Sequence, residues 1–236
     1  SSLTSGFSGA DIANLANEAA IMSVRNNSTM ISRDNIITAF EKITIGLPSN
    51  VEKRSNEILE LVSYHETGHA LLASIFSDFF NVRSVTIRAN QNGAGGYTLF
   101  TPKDFYNNYP TKSFILANLV VALGGRAAEA LFFNNKKNYN NIFSEIENLS
   151  ITTGASNDLQ QANSIAKRYV SKYGLGENIG IYDSSNPGGN PFVGRSLGTD
   201  GNGPSDNTLS LIDNEVTSLV NYAYEKALDL LHKNNE

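Results

Sequence analysis

The chain has 236 residues, 40% of them hydrophobic, enough for one large domain or two modest ones with a real core. A formal net charge of −5 provides no basic face for gripping phosphates, so nucleic acid is not an expected partner. There is no cysteine, which excludes a disulfide framework and a thiolate metal site and leaves any metal chemistry to His, Asp and Glu.

Ser8-Gly9-Ala10-Asp11 opens a helical pattern in which Ile12, Leu15, Ala16, Ala19, Ala20 and Val24 are spaced for one buried face. After a polar turn at Asn26-Asn27-Ser28, Ser32 is an N-cap candidate for a second helix through Ile36, Ile37, Phe40 and Ile43. Gly46-Leu47-Pro48-Ser49-Asn50 breaks the pattern, and the charged run from Glu52 to Glu57 resumes a helix leading into Leu61, Val62 and a histidine motif. The β-branched residues between Val82 and Arg88 predict a strand, followed by a turn over Asn90 to Gly96 and a second strand at Tyr97-Thr98-Leu99-Phe100. Ser113 to Phe133 reads as one long apolar helix, and its Gly124-Gly125 pair, costing about 1 kcal/mol per glycine, signals a close backbone approach. We expect the helix of the histidine motif as the neighbour, with Arg126 and Glu129 either forming an ion pair beside it, the reading put first, or supporting the site from behind. Asn134 to Asn148 is an asparagine-rich inserted loop. Asn157 or Ser156 caps a helix through Leu159, Ala162, Ile165, Ala166, Tyr169 and Val170 that stops near Gly174. Ser184 to Asn207 is a Gly/Asn/Ser/Pro-rich loop, and Leu209 to His232 a final amphipathic helix.

His65-Glu66-Thr67-Gly68-His69 fits H-E-x-x-H, which sets two imidazoles one helical turn apart on one face, where they can share a metal. Glu66 projects beside that face and can act as a base toward a water whose pKa zinc lowers to about 7. A chance pattern on a polar helix is the alternative. Against it, Leu61, Val62, Ala70, Leu71, Leu72 and Ile75 make the helix apolar on several sides, and buried His and Glu need partners. A catalytic zinc site needs a third protein ligand, and spacing does not choose among Asp104, Glu129, Glu145, Glu147, Asp158 and His232. Asp158 at a helix start also reads as a capping carboxylate.

Five motifs in order make the chain resemble the C-terminal part of the FtsH-type AAA+ membrane metalloproteases, nearly end to end. Gly6-Phe7-Ser8-Gly9-Ala10-Asp11-Ile12 with Asn17-Glu18-Ala19-Ala20 is similar to that family's ATPase lid, and Ser63 to Ala70 to its zinc helix, with Thr67 where the family commonly has Ala. Gly96-Tyr97-Thr98, Gly124 to Glu129 and Thr152 to Leu159 follow. The connection between Asn134 and Ser150 is longer than usual, and Gly174-Leu175-Gly176 stands where the family has Gly-Met-Ser.

The resemblance implies a mainly α fold: a helical zinc-peptidase domain with a small β element, preceded by a short helical remnant of an AAA+ lid. Its division is 1–45 lid, 46–57 linker and 58–236 peptidase. It implies Zn2+ held by His65, His69 and Asp158, with Glu66 as catalytic base. ATP and Mg2+ belong to an ATPase module that this sequence, which has no G-x-x-x-x-G-K-[ST] loop, does not include. The start without Met before a helix signal agrees with a fragment, and no apolar run of about 18 residues is present. For the complete protein the resemblance implies a homo-hexamer, polypeptide substrates and a membrane anchor outside the fragment. The asparagine runs add an organellar membrane, mitochondrial ahead of plastid. The function expected is an ATP-dependent endopeptidase degrading unfolded or membrane proteins. Two other readings stay open: a catalytically idle helical assembly or adaptor module, and a zinc hydrolase of small amides. Finally, Gly95, Gly96, Tyr97 and Thr98 are expected to form an edge strand that binds substrate by strand addition, the glycines leaving room for its backbone; an ordinary hairpin that only covers the core is the alternative.

Overall fold

The computed structural model describes residues 4, 7–44, 46, 53–90, 94–133, 151–181 and 204–234, which form helices around a two-stranded sheet. Helix α1 (Gly9–Arg25) starts with a capping box: Ser8 Oγ accepts from Asp11 N, and Asp11 Oδ2 accepts from Ser8 N at 2.8 Å. Helix α2 (Arg33–Thr44) begins after Ser32, whose Oγ accepts from Asn35 N at 3.1 Å. The two pack through Leu15, Ala19, Ala39 and Phe40. Ile12 and Val24, expected on the buried face of α1, are exposed, because a two-helix unit has only one narrow seam to cover.

Helix α3 (Asn56–Ile75) is capped by Ser55 and is 20 residues long, about 30 Å. It leads into β1 (Phe80–Thr86), which pairs antiparallel with β2 (Tyr97–Pro102) from Phe80 opposite Pro102 to Thr86 opposite Tyr97, with a bulge between Val82 and Ser84. After the short α4 (Asp104–Asn108), α5 (Lys112–Ala122) and α6 (Gly124–Ala128) pass through the core and widen into a π-type turn at Glu129–Phe133. Helix α7 (Ser156–Lys167) continues into a second wide turn, Arg168–Lys172. The last helix, α8 (Asp206–Lys233), closes the core with Ala223, Ala227 and Leu231. Leu72, Leu119, Val121 and Leu123 are essentially inaccessible; each such leucine stabilises the fold by about 1.5–3 kcal/mol.

The helix expected over Ser113–Phe133 is not continuous. It breaks at Leu123, and the two halves meet at 49°. The cause is backbone contact with α3, since a Cβ on Gly124 would lie 2.9 Å from Gly68 O and one on Gly68 2.3 Å from Gly124 O. The expected neighbour of the glycine pair is therefore the one found. Among the described residues no single helix is long and apolar enough to cross a membrane; the bent pair passes by length and composition alone, and its residues form the core. The expected loop Asn134–Asn148 and most of Ser184–Asn207 lie outside the described residues. The last helix begins at Asp206 rather than Leu209 because Ser205 Oγ accepts from Thr208 N at 3.2 Å.

Candidate metal centre

Helix α3 carries His65, Glu66 and His69, and each imidazole is fixed from behind. His69 Nδ1 lies 2.7 Å from Val121 O, and a carbonyl only accepts, so the proton sits on Nδ1 and the Nε2 lone pair faces the opposite way. His65 Nδ1 lies 2.8 Å from Glu129 Oε1. Glu129 is itself held, its Oε2 accepting from Thr152 N and Oγ1 at 3.0 Å each, and only 2% of it is exposed. The His65 ring rests on Gly125, where a Cβ would come within 2.4 Å of ring atoms. The glycine pair therefore serves twice: Gly124 meets the α3 backbone and Gly125 seats a ring.

The two Nε2 atoms are 3.3 Å apart, and Asp158 Oδ2 lies 3.0 Å from His65 Nε2 and 3.3 Å from His69 Nε2. Zinc bonds of about 2.0–2.1 Å at tetrahedral angles set ligand atoms about 3.3 Å apart. With both histidines protonated at Nδ1, three electron pairs converge, and Asp158 Oδ2 is buried without a hydrogen-bond donor. A small cation satisfies all three, so these residues fit a metal.

The electrostatics point the same way. Burial disfavours a charged His65, yet its contacts with Asp158 and Glu129 outweigh burial and push it up to about 10. Burial likewise opposes ionisation of Asp158, but the His65 and His69 contacts hold its carboxyl well below the usual carboxylate range. Glu129 is also lowered, its bonds to His65 and Thr152 outweighing burial. Glu66, 7% exposed, is raised chiefly by burial, with a hydrogen bond from Thr98 opposing.

Asp158 sits in the first turn of α7, yet no side-chain bond caps that helix, and its carboxylate turns to the histidines instead. Of the other sequence candidates, Asp104 and His232 are exposed and Glu145 and Glu147 lie outside the described residues. Glu129 belongs behind His65, not in an ion pair with Arg126. The π-type turn at Glu129 rotates it inward off the regular helical face. Gly96 and Gly95 precede β2, and the room they leave is taken by the fold itself: a Cβ on Gly96 would meet Thr86 O at 2.7 Å and Val62 Cγ1 at 2.8 Å, and Gly95 faces Val62 and Arg54. Sequence reasoning missed Val121 O, which has no side-chain signature, and Thr152.

The family model described as Peptidase family M41 matches residues 52–236, and that of an AAA+ lid domain matches residues 1–38. ATP-dependent zinc metalloprotease FtsH 3 of Synechocystis is 36% identical over 233 residues, 98% of this chain and 35% of that protein. ATP-dependent zinc metalloprotease FtsH of Ruminiclostridium cellulolyticum is 37% identical over 232 residues, 98% of this chain and 35% of the relative. ATP-dependent zinc metalloprotease FTSH 1, chloroplastic, of Arabidopsis thaliana is 35% identical over 239 residues, 98% of this chain and 31% of the relative. The chain thus spans about a third of the length of these curated relatives. Matched over most of its length by one family model, and carrying an H-E-x-x-H helix whose histidines converge on a distant aspartate, the chain belongs to peptidase family M41.

Proposed function

We propose that this chain is the peptidase portion of a zinc endopeptidase, with His65, His69 and Asp158 as ligands and Glu66 as the catalytic base. The observation that carries the reading is the triangle of two Nε2 atoms and Asp158 Oδ2, with edges of 3.0 to 3.3 Å and no protein donor for the carboxylate oxygen. The relatives' names, each a zinc metalloprotease, favour zinc as the ion. When bound, zinc supplies a Lewis acid that polarises a peptide carbonyl and lowers the pKa of a water to about 7. Glu66 takes the proton of the attacking water on its carboxylate and delivers it to the leaving amine; the burial that raises its pKa suits both halves of that transfer. Glu129 and Val121 O keep the two imidazoles in the tautomer that faces inward. An idle adaptor would gain nothing from so costly a buried cluster.

Substrate is a polypeptide held extended along β2, whose far edge has no partner among the described residues, with the main chain of Tyr97 and Thr98 as the contact. Gly95 and Gly96 set the approach of that strand to α3. Residues 1–45 form a lid, 46–57 a linker and 58–236 the peptidase. ATP dependence and a membrane anchor come from sequence beyond these residues, in a hexameric parent protein. The relatives compared are bacterial and chloroplastic, and they lend the expected mitochondrial membrane no support.

The test is Glu66→Gln in the parent protein. We expect about one zinc per chain to remain and casein cleavage to fall about 10²–10⁴-fold, whereas His65→Ala and His69→Ala lose the metal. Near wild-type cleavage by Glu66→Gln overturns the assignment.

A further inference from the structure

Strand β2 turns alternate side chains to opposite sides. The Tyr97 hydroxyl faces Glu41 of α2 and Ser84 of β1, and Leu99 packs against the cluster of α1 and α2. Phe100 points the other way, its ring 5.4 Å from that of Phe80 in the peptidase core. Thr98 shares that side and reaches α3. Its Oγ1 lies 2.8 Å from Glu66 Oε2 and 2.8 Å from Glu66 O.

One hydroxyl therefore stands within hydrogen-bond distance of both ends of the Glu66 residue, its main-chain carbonyl and its carboxylate, and its single proton serves one of them at a time. A free glutamate samples many rotamers, and fixing one costs side-chain entropy. With its carboxylate tip beside a hydroxyl fixed on a neighbouring strand, Glu66 meets that cost on folding rather than during turnover. The approach is built by Gly96, where a Cβ would come within 3.0 Å of Glu66 Cγ. A hydroxyl also suits a group that changes protonation: it donates to an ionised carboxylate, and it can turn to the carbonyl while accepting from a protonated one. Valine in that place would offer neither.

We propose that Thr98 is a positioning residue for the catalytic base, engaging Oε2 of Glu66 so that Oε1 is the oxygen presented to the proton it takes. The inference rests on Glu66 being the base. It gives the Thr98 side chain a duty separate from any main-chain contact with substrate.

The experiment compares Thr98→Val, of the same shape without the hydroxyl, with Thr98→Ser in the zinc-loaded parent protein, beside Glu66→Gln. Thr98→Val is expected to keep one zinc per chain and its KM within about twofold, while kcat falls about 10- to 100-fold. Thr98→Ser should restore kcat to within about threefold of wild type. In metal-stripped protein, the drop in melting temperature caused by Thr98→Val should shrink in a Glu66→Ala background, a coupling that an unrelated loss of sheet stability would not produce. If valine unfolds the hairpin, Thr98→Ala carries the same comparison. Wild-type kcat in Thr98→Val, no recovery in Thr98→Ser, or a rise in KM alone each overturns the proposal. An active Glu66→Gln refutes the base itself, whereas an inactive Glu66→Gln beside a fully active Thr98→Val refutes only the role of Thr98.

Discussion

Gly125 is where one atom decides the geometry of the site. Its missing Cβ is the space in which the His65 ring lies, with ring atoms 2.4 Å from where that carbon would be. Neither can yield cheaply, because the ring is bonded to Glu129 and the glycine sits in the buried core. Gly125→Ala is therefore expected to release zinc, read as metal per chain after gel filtration, more completely than it lowers the melting temperature. A fully zinc-loaded Gly125→Ala protein would contradict this account of the ring's seat. The histidines and Glu66 were legible because helical periodicity relates positions one turn apart. Asp158 was not, since no local rule joins α3 to α7, and only the resemblance singled it out. For Glu129 the sequence puts the ion pair with Arg126 first and the supporting role second, and the structure reverses that order, the wide turn at Glu129–Phe133 setting the carboxylate behind His65.

At the level of elements, the crossing of α3 and α6 fixes the site, and its closeness comes from glycine on both sides. Gly68 and Gly124 meet backbone to backbone. Gly124→Val or Gly68→Ala should cost at least about 1–3 kcal/mol by overpacking, seen as a lower urea midpoint with an unchanged slope. An unchanged midpoint would mean that the helices separate without penalty. The sequence announced this contact through its Gly-Gly pair. It did not announce the 49° bend, because every residue from Phe114 to Phe133 is compatible with one straight helix and only the opposing α3 backbone forces the break. The hairpin was legible to within two residues at each end, whereas its attachment to Glu66 through Thr98 is a tertiary contact that strand alternation leaves open.

For the molecule as a whole, an ion in this site ties α3 to α7 and stabilises the fold by mass action. Removing zinc with a chelator is expected to lower the melting temperature, and the gap between loaded and stripped protein should widen from pH 6 to pH 10. The metal-free fold holds His65 raised to about 10, so that contribution to stability is complete below the ordinary histidine pKa and is lost as pH rises through 10. Zinc needs the same nitrogen deprotonated, so its apparent affinity rises over the same range. Melting curves at several pH values, with and without chelator, check both limbs; a gap that narrows toward pH 10 would remove His65 from the ligand set. The helical class and the small β element were legible from periodicity, and the order of the motifs carried the two-part organisation. Which faces of α1 stay open was not, because exposure depends on what packs beside it.

The two hydrogen bonds from Thr152 to Glu129 have a further consequence. They join the end of the α6 turn to the start of the stretch that carries Asp158, closing a neck directly behind His65. Chain length between the two sides of a closed neck is thermodynamically cheap, since each doubling of a flexible loop adds only about 0.6 kcal/mol of closure entropy. Residues added between positions 133 and 151 are therefore expected to leave both sides of the neck in register and the three converging atoms of His65, His69 and Asp158 at their spacing.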